Sequence, residues 1–177
     1  TGLALVSATG GAGGGLGESY DLAMLFGARH TAMDCVEKRQ RKGYFFMTGD
    51  EPPFAQVSAA QVAEVLGDKL ASKMDIYAVT EELQRRFHVF FVIPDAERAK
   101  RNDVGWIWGQ ILHEAAVVLD RPDDTAAVCA LLVGITERAL TDVAAVSRHV
   151  AGRMGRAGAE GERLVRAVTP YVEAIAR

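Results

Sequence analysis

The chain has 177 residues, of which 49% are hydrophobic and 24% are charged, and its formal net charge is −3 at pH 7. This length predicts one domain with a single apolar core, and the hydrophobic share excludes an intrinsically disordered chain. The negative net charge gives no general attraction to phosphate backbones, and the one basic cluster, at residues 38–42, is short. We therefore expect a globular protein that does not bind nucleic acid.

Two further features bear on location. No apolar stretch approaches the roughly 20 residues that a membrane-spanning helix requires, and the first residues lack the charged segment of a secretory signal. The two cysteines, Cys35 and Cys129, fit no metal-binding spacing and are predicted to be reduced and buried. We expect a cytoplasmic protein without membrane contact. Because the chain begins inside an apolar run, we also expect a fragment or a processed product with a missing upstream part.

The first half of the chain alternates between strand-like and helix-like patterns. The predicted elements are a strand at residues 3–7, a glycine-rich loop at 10–17, an amphipathic helix from 18 past 36, a strand at 44–48, a helix capped by Ser58, a helix at 76–87 and a strand at 88–93. The two strands at 44–48 and 88–93 are apolar on both faces, which is typical of central strands covered on both sides.

The second half is mainly helical. The patterns predict a short helix at 106–112, a strand at 115–119, one long helix from about 125 to 150 and a last helix near 163–175. In the short helix, we expect one of Trp106 and Trp108 to be buried against the sheet and the other to lie near its edge. Strands that alternate with helices predict right-handed crossovers and a mostly parallel sheet flanked by helices. Ligand sites in such sheets lie at the carboxyl ends of the strands.

The glycine-rich loop precedes a helix, as a phosphate-binding loop does. However, no Gly-Lys-Ser/Thr follows it, and the acidic residues Glu18 and Asp21 in the first helical turn would repel phosphate. Two other interpretations stay open. The loop is either a flexible connection or a segment that brings oxygen atoms at the helix start close to a cation.

Asp50 directly follows a predicted buried strand, at the edge where Glu18 and Ser19 begin a helix. Hard oxygen ligands on neighbouring loops suit Mg²⁺, Ca²⁺ or Mn²⁺. The alternative is ordinary turn chemistry in front of Pro52 and Pro53, where Asp and Gly are favoured anyway.

Catalytic residues do not stand out. The four histidines include no pair at metal-binding i, i+4 spacing, and no GxSxG nucleophile motif is present. Neither cysteine has a histidine partner that the sequence identifies. We predict no catalytic and no cofactor-binding residue.

Four segments together resemble bacterial von Willebrand factor A-like proteins: Glu-Ser-Tyr-Asp-Leu-Ala at 18–23, Ala-Arg-His-Thr at 28–31, Lys-Gly-Tyr-Phe-Phe-Met-Thr-Gly-Asp-Glu at 42–51 and Phe-His-Val-Phe-Phe-Val-Ile-Pro at 87–94. The resemblance covers about residues 1–145. It implies a three-layer, Rossmann-like fold in which helices flank a mostly parallel central sheet, and it leaves residues 146–177 as a C-terminal helical extension.

The resemblance also implies a metal-ion-dependent adhesion site. The family builds this site from Asp-x-Ser-x-Ser on the first strand, a Thr before a central helix and an Asp after the next strand. Asp50 matches the last of these, and Glu18 or Ser19 falls at the Thr position. Because Asp-x-Ser-x-Ser is absent from the chain, the resemblance implies metal ligands Asp50, Glu18 and Ser19, with Mg²⁺, Mn²⁺ or Ca²⁺ bound weakly or not at all.

The function implied is a non-enzymatic scaffold that binds a protein partner through the loop at 10–17, Glu18, Ser19, Asp50 and Glu51. Bacterial intracellular members of the family often act beside MoxR-like AAA+ ATPases, so the implied partner is such an ATPase. Two alternatives from other classes remain. One is a nucleotide- or Mg²⁺-dependent enzyme on a Rossmann-like sheet, and the other is a structural subunit that offers an open sheet edge to an assembly.

Overall fold

The chain is described here by a computed structural model that covers residues 18–177. Three strands form one sheet in the order β1 (Gly43–Thr48), β2 (Phe87–Ile93) and β3 (Ala116–Val118). These strands confirm the predictions at 44–48, 88–93 and 115–119. The strand predicted at 3–7 and the loop at 10–17 lie outside the described residues.

The sheet is parallel. Between β2 and β3, Phe91 pairs with Ala116 and Ile93 pairs with Val118, so both strands run in the same direction. Between β1 and β2, Gly43 N donates to Arg86 O at 2.9 Å and Gly49 N donates to Val92 O at 3.3 Å. The step from Gly43 to Gly49 and the step from Arg86 to Val92 are both six residues in the same direction, as parallel pairing requires. The predicted parallel α/β class is therefore confirmed.

The described residues divide into two compact units. The first unit contains residues 18–45 together with Glu51–Val89, and the second contains Phe46–Asp50 and Phe90–Arg177. The helices at the C-terminus thus belong to the same unit as β3. The predicted boundary near residue 145 stays a prediction.

In the first unit, the helices are α1 (Tyr20–His30), α2 (Asp34–Glu37), α3 (Ala59–Gln61), which continues as a π-helical turn (Val62–Leu66), and α4 (Ile76–Gln84). Helix α1 packs on α4. The close approach depends on Gly27, because a Cβ there would lie 2.6 Å from the ring of Phe45 and 3.1 Å from the side chain of Leu83. Ser58 caps α3 as predicted, since its Oγ accepts a hydrogen bond from Gln61 N at 3.3 Å.

The single helix predicted from 18 past 36 is wrong. Helix α1 ends at His30, and Thr31 is extended, with φ −101° and ψ 132°. The carbonyl oxygen of Thr31 accepts a hydrogen bond from Arg86 Nη2 at 2.6 Å, and this contact replaces a helical one. A residue more than fifty positions away therefore favours the break, and no local pattern reveals such a contact.

In the second unit, the helices are α5 (Ala96–Lys100), α6 (Val104–Leu112), α7 (Thr125–Thr136), α8 (Val143–Gly152) and α9 (Gly158–Ala176). Helix α9 packs on both α7 and α8. As predicted, the two tryptophans of α6 differ, because Trp108 is fully buried and Trp106 is 68% exposed. No helix among the described residues has the length and apolar character needed to cross a membrane.

The long helix predicted from about 125 to 150 is also wrong. Helix α7 ends at Thr136, and two residues later Arg138 adopts a left-handed φ of 61°. Gly134 O accepts hydrogen bonds from the backbone N atoms of Ala139, at 2.9 Å, and Leu140, at 3.1 Å, which closes the helix end. The side chain of Leu140 then packs over Gly134, and Asp142 caps α8. Helix α5 was not predicted, and α9 begins five residues earlier than expected.

The two cysteines are free thiols, as predicted. Both are only half-buried, so the expectation of buried side chains is wrong in degree. Burial still raises the pKa of the Cys129 thiol. That thiol therefore stays protonated, and unreactive as a nucleophile, to a higher pH than a free cysteine would.

Candidate functional site

Glu18 and Ser19 lie at the start of α1 in the first unit. Glu18 N donates a hydrogen bond to Pro52 O at 3.0 Å, and Glu18 also forms an isolated parallel bridge with Pro53. These contacts attach the first turn of α1 to the loop that follows β1. Ser19 is buried, and its hydroxyl does not cap the helix. Its oxygen atom is therefore not used in the role that serine usually has at a helix start.

Asp21 is the most unusual residue of this helix start. It is only 1% exposed, and neither carboxylate oxygen has a side-chain partner among the described residues, although the backbone N–H groups of Asp21 and Leu22 partly stabilise the charged form. Desolvation by burial raises the pKa of its carboxyl from 3.8 to about 6. A buried carboxylate without a partner is costly, so this position gains from a bound proton or a cation.

From the sequence, Asp21 was expected only to repel phosphate. Its position three residues after Glu18, within the first turn of the same helix, is the signal that could have identified it. Its burial could not be foreseen, because α1 buries this turn only when it packs in the folded unit.

Asp50 lies in the second unit, two residues beyond the end of β1. The hydrogen bond from Gly49 N to Val92 O holds this end of β1 beside β2. Arg98 Nη1 donates to Asp50 Oδ2, so the predicted metal ligand already binds a cation of the chain itself. The side chains are 30% exposed at Asp50 and 52% exposed at Arg98.

Helix α5 positions this guanidinium. Asp95 caps the helix, because its Oδ1 accepts hydrogen bonds from Glu97 N at 2.7 Å and Arg98 N at 3.3 Å. Arg98 is a functional candidate that the sequence analysis missed. Its signal is a cation placed five residues after Ile93, the last residue of β2, at the carboxyl end of the strand next to β1.

The predicted ligands are divided between the two units. Glu18, Ser19 and Glu51 belong to the first unit, and Asp50 belongs to the second. Within residues 18–177, no group of three or more His, Cys, Asp or Glu side chains is arranged to hold a metal ion. The metal site at Asp50, Glu18 and Ser19 stays a prediction.

The second unit also contains an open groove of about 650 Å³ between α8 and α9. Its walls are mainly apolar, and they include Val150, Ala151, Val165 and Pro170. Polar side chains on the same walls include Ser147, Glu162 and Thr169.

Compared with family models, curated proteins and solved structures, the chain matches none of them.

Proposed function

We propose that the chain is a cytoplasmic, non-enzymatic protein-binding module with a three-layer von Willebrand factor A-like fold. Recognition takes place at the carboxyl edge of the sheet, through the loop at 10–17, Glu18, Ser19, Asp50 and Glu51. The partner is a protein, and the resemblance favours a MoxR-like AAA+ ATPase.

The observation that carries this proposal is the ion pair between Asp50 and Arg98 at the carboxyl end of β1. Carboxyl ends of parallel strands are the usual ligand-binding edge of α/β sheets. In the resembling family, a carboxylate at this position contributes to a metal site that accepts a carboxylate of the partner. Here a carboxylate of the same type holds a guanidinium, which is partly exposed.

Arg98 gives this edge a positive group without requiring a metal. A guanidinium has five N–H donors, and one nitrogen, Nη1, binds Asp50. Nitrogens that remain accessible can bind a carboxylate of a partner, in the geometry that favours arginine at such sites. A divalent cation has to displace Arg98 from Asp50 before that carboxylate becomes a ligand. Since an exposed ion pair contributes only about 0–1 kcal/mol, this displacement costs little.

The metal part of the proposal is tested by isothermal titration of the chelator-treated protein with Mn²⁺ and Mg²⁺. Arg98→Gln removes the competing guanidinium and is expected to strengthen Mn²⁺ binding by roughly threefold to fivefold. This factor corresponds to the free energy that an exposed ion pair contributes. Asp50→Asn is expected to abolish binding. The matched control is Asp123→Asn, which opens another exposed pair of the same unit, that with Arg121. Unchanged Mn²⁺ affinity in Asp50→Asn contradicts the assignment of Asp50 as a ligand.

The recognition part is tested with a MoxR-like AAA+ ATPase from the same organism, by biolayer interferometry. Arg98→Glu reverses the charge at the edge and is expected to weaken binding at least tenfold, whereas Arg121→Glu leaves it within twofold. A rise in melting temperature with ATP, GTP or NAD plus Mg²⁺ contradicts a non-enzymatic module and favours a nucleotide-dependent enzyme.

A further inference from the structure

Six cationic side chains lie at the amino ends of β1 and β2 in the first unit, and we call them the basic surface: Lys38, Arg39, Arg41, Lys42, Arg85 and Arg86. In the sequence they form two separate groups. The hydrogen bond from Gly43 N to Arg86 O, at 2.9 Å, brings the two groups side by side, because β1 and β2 begin next to each other.

The turn after α2 exposes the first group. Lys38 N donates to Asp34 O at 3.0 Å, and Arg41 N donates to Cys35 O at 2.8 Å, so the chain folds back over the short helix. Gln40 completes this turn in the left-handed conformation, with φ 52°. As a result, all four cationic side chains of residues 38–42 are exposed, and Arg85 at the end of α4 is exposed as well.

The second group has a fixed support. Arg86 is only partly exposed, and its Nη2 donates to Thr31 O at 2.6 Å and lies 4.0 Å from Glu37 Oε1. It therefore anchors the start of β2 against the segment between α1 and α2. The exposed cations Arg39, Lys42 and Arg85 are the ones available to a partner.

The described acidic residues near the basic surface neutralise only part of its positive charge. Asp34 forms an exposed ion pair with Lys38 at 3.1 Å, and Glu37 lies beside Arg86. On α4, Glu82 binds Arg29 at 2.7 Å, and the charge of Arg85 also contributes to lowering the pKa of the Glu82 carboxyl. Lys38, Arg39, Lys42, Arg85 and Arg86 against Asp34, Glu37 and the exposed Glu81 leave a surplus of two positive charges, in a chain whose formal net charge is −3.

We infer that the basic surface binds an acidic segment of a partner protein. A short run of Asp and Glu in a partner places its charges on the surplus cations. It does not extend over the rest of this chain, whose net charge is negative. Nucleic acid carries a charge every few ångströms along its length and meets the net negative charge beyond the surface. Tyr44 and His88, two aromatic side chains at the start of β1 and β2, are half-buried and pack on each other at 5.2 Å between ring centroids, so they offer no open platform for bases.

This surface is separate from the edge discussed under the proposed function. It lies at the amino ends of the strands, whereas Asp50 follows the carboxyl end of β1. The inference therefore holds or fails independently of a metal at Asp50 and of the identity of the fold family.

The test measures binding of a fluorescein-labelled peptide of twelve glutamates to the whole chain by fluorescence anisotropy, at 50 and 200 mM NaCl. Wild type is expected to bind, and to lose affinity as salt rises. The triple variant Arg39→Gln, Lys42→Gln and Arg85→Gln is expected to bind at least about tenfold more weakly, as the loss of three exposed charge contacts implies. Arg86 is left intact because it supports the fold.

The control removes the same charge elsewhere, with Lys69→Gln, Lys73→Gln and Arg101→Gln, all of which are exposed. Its affinity is expected to stay within about twofold of wild type. An equal loss in both variants overturns the inference, because it reveals only a net-charge effect. Absence of peptide binding at 50 mM NaCl also overturns it. If the chain binds a twelve-nucleotide oligothymidylate, or vesicles with phosphatidylserine, more tightly than the glutamate peptide, the assignment to an acidic protein segment is overturned.

Discussion

The indole of Trp108 stacks on the ring of Phe91, with ring centroids 3.8 Å apart and the two planes 12° from parallel. Both side chains are fully buried. Phe91 lies in β2 and pairs with Ala116 of β3, whereas Trp108 belongs to α6. This stacking attaches α6 to the sheet within the second unit.

Trp108→Ala should lower the free energy of unfolding by about 3–5 kcal/mol, because it removes a buried ring and leaves a cavity against Phe91. Urea denaturation followed by circular dichroism measures this loss without depending on tryptophan fluorescence. Trp106→Ala, on the exposed side of the same helix, should change stability by less than about 0.5 kcal/mol. Similar losses in both variants would show that the stacking contributes little.

Asp21 should make stability fall as pH rises. Below about pH 4, its carboxyl is protonated in the folded and unfolded chain alike, and burial costs little. Between pH 4 and 6 the unfolded chain ionises first, because burial raises the pKa in the folded chain to about 6. Above pH 6 the folded chain carries the buried charge, and the full penalty of up to about 3 kcal/mol is present.

Asp21→Asn removes this titration while keeping the side-chain size. The variant should therefore gain stability relative to wild type as pH rises from 4 to 7.5, by up to about 3 kcal/mol. Chemical denaturation at several pH values measures the difference, with the exposed Asp123→Asn as the control. A stability difference that is constant across this range would mean that Asp21 ionises normally in the folded chain.

Asp124 and Arg163 form the most buried ion pair of the second unit among the described residues, since Asp124 is only 4% exposed and its Oδ2 lies 3.3 Å from Arg163 Nε. Arg163→Met should cost about 3 kcal/mol because the carboxylate then stays buried without a cation. Adding Asp124→Asn should recover part of that loss. Arg166 lies on the same helix as Arg163 and forms an exposed pair with Asp120. Arg166→Met should therefore cost less than about 1 kcal/mol.

Gly161 lets α9 approach the turn that precedes it. A Cβ at this position would lie 2.5 Å from Arg156 O, a backbone atom that cannot move without shifting the turn. Gly161→Ala should therefore destabilise the chain by about 1–3 kcal/mol. Gly109→Ala is the matched control in α6, where no atom lies within 4 Å of the new Cβ, and it should stabilise by up to about 1 kcal/mol. Thermal unfolding of both variants compares the two effects.

The strands and several caps could be predicted because their signals are local. The segments 44–48 and 88–93 are apolar on both faces, and their short length together with their aromatic and β-branched residues favours a covered strand over a buried helix. Ser58 caps α3 through its own short-range hydrogen bond. Helix ends were less predictable, because the end of α7 depends on the left-handed Arg138 and on the packing of Leu140 over Gly134.

For the candidate site, the sequence indicated Asp50 but not its partner. Asp50 was identified because the end of an apolar strand and a following turn are visible in the order of residues. Arg98 lies 48 positions away and reaches Asp50 only because β1 and β2 are neighbours in the sheet. Asp21 is a similar case, since its place in the helix is local and its burial is not.

The sequence by itself determined the parallel α/β class, the two central strands and the carboxylate beyond β1. These features follow from side-chain periodicity and turn chemistry, which act over a few residues. The tertiary structure decided which distant groups meet: Asp50 with Arg98, Thr31 O with Arg86, and Gly43 N with Arg86 O. The physical reason is that strand pairing brings together groups far apart in the chain, and electrostatic contacts depend on distance in space.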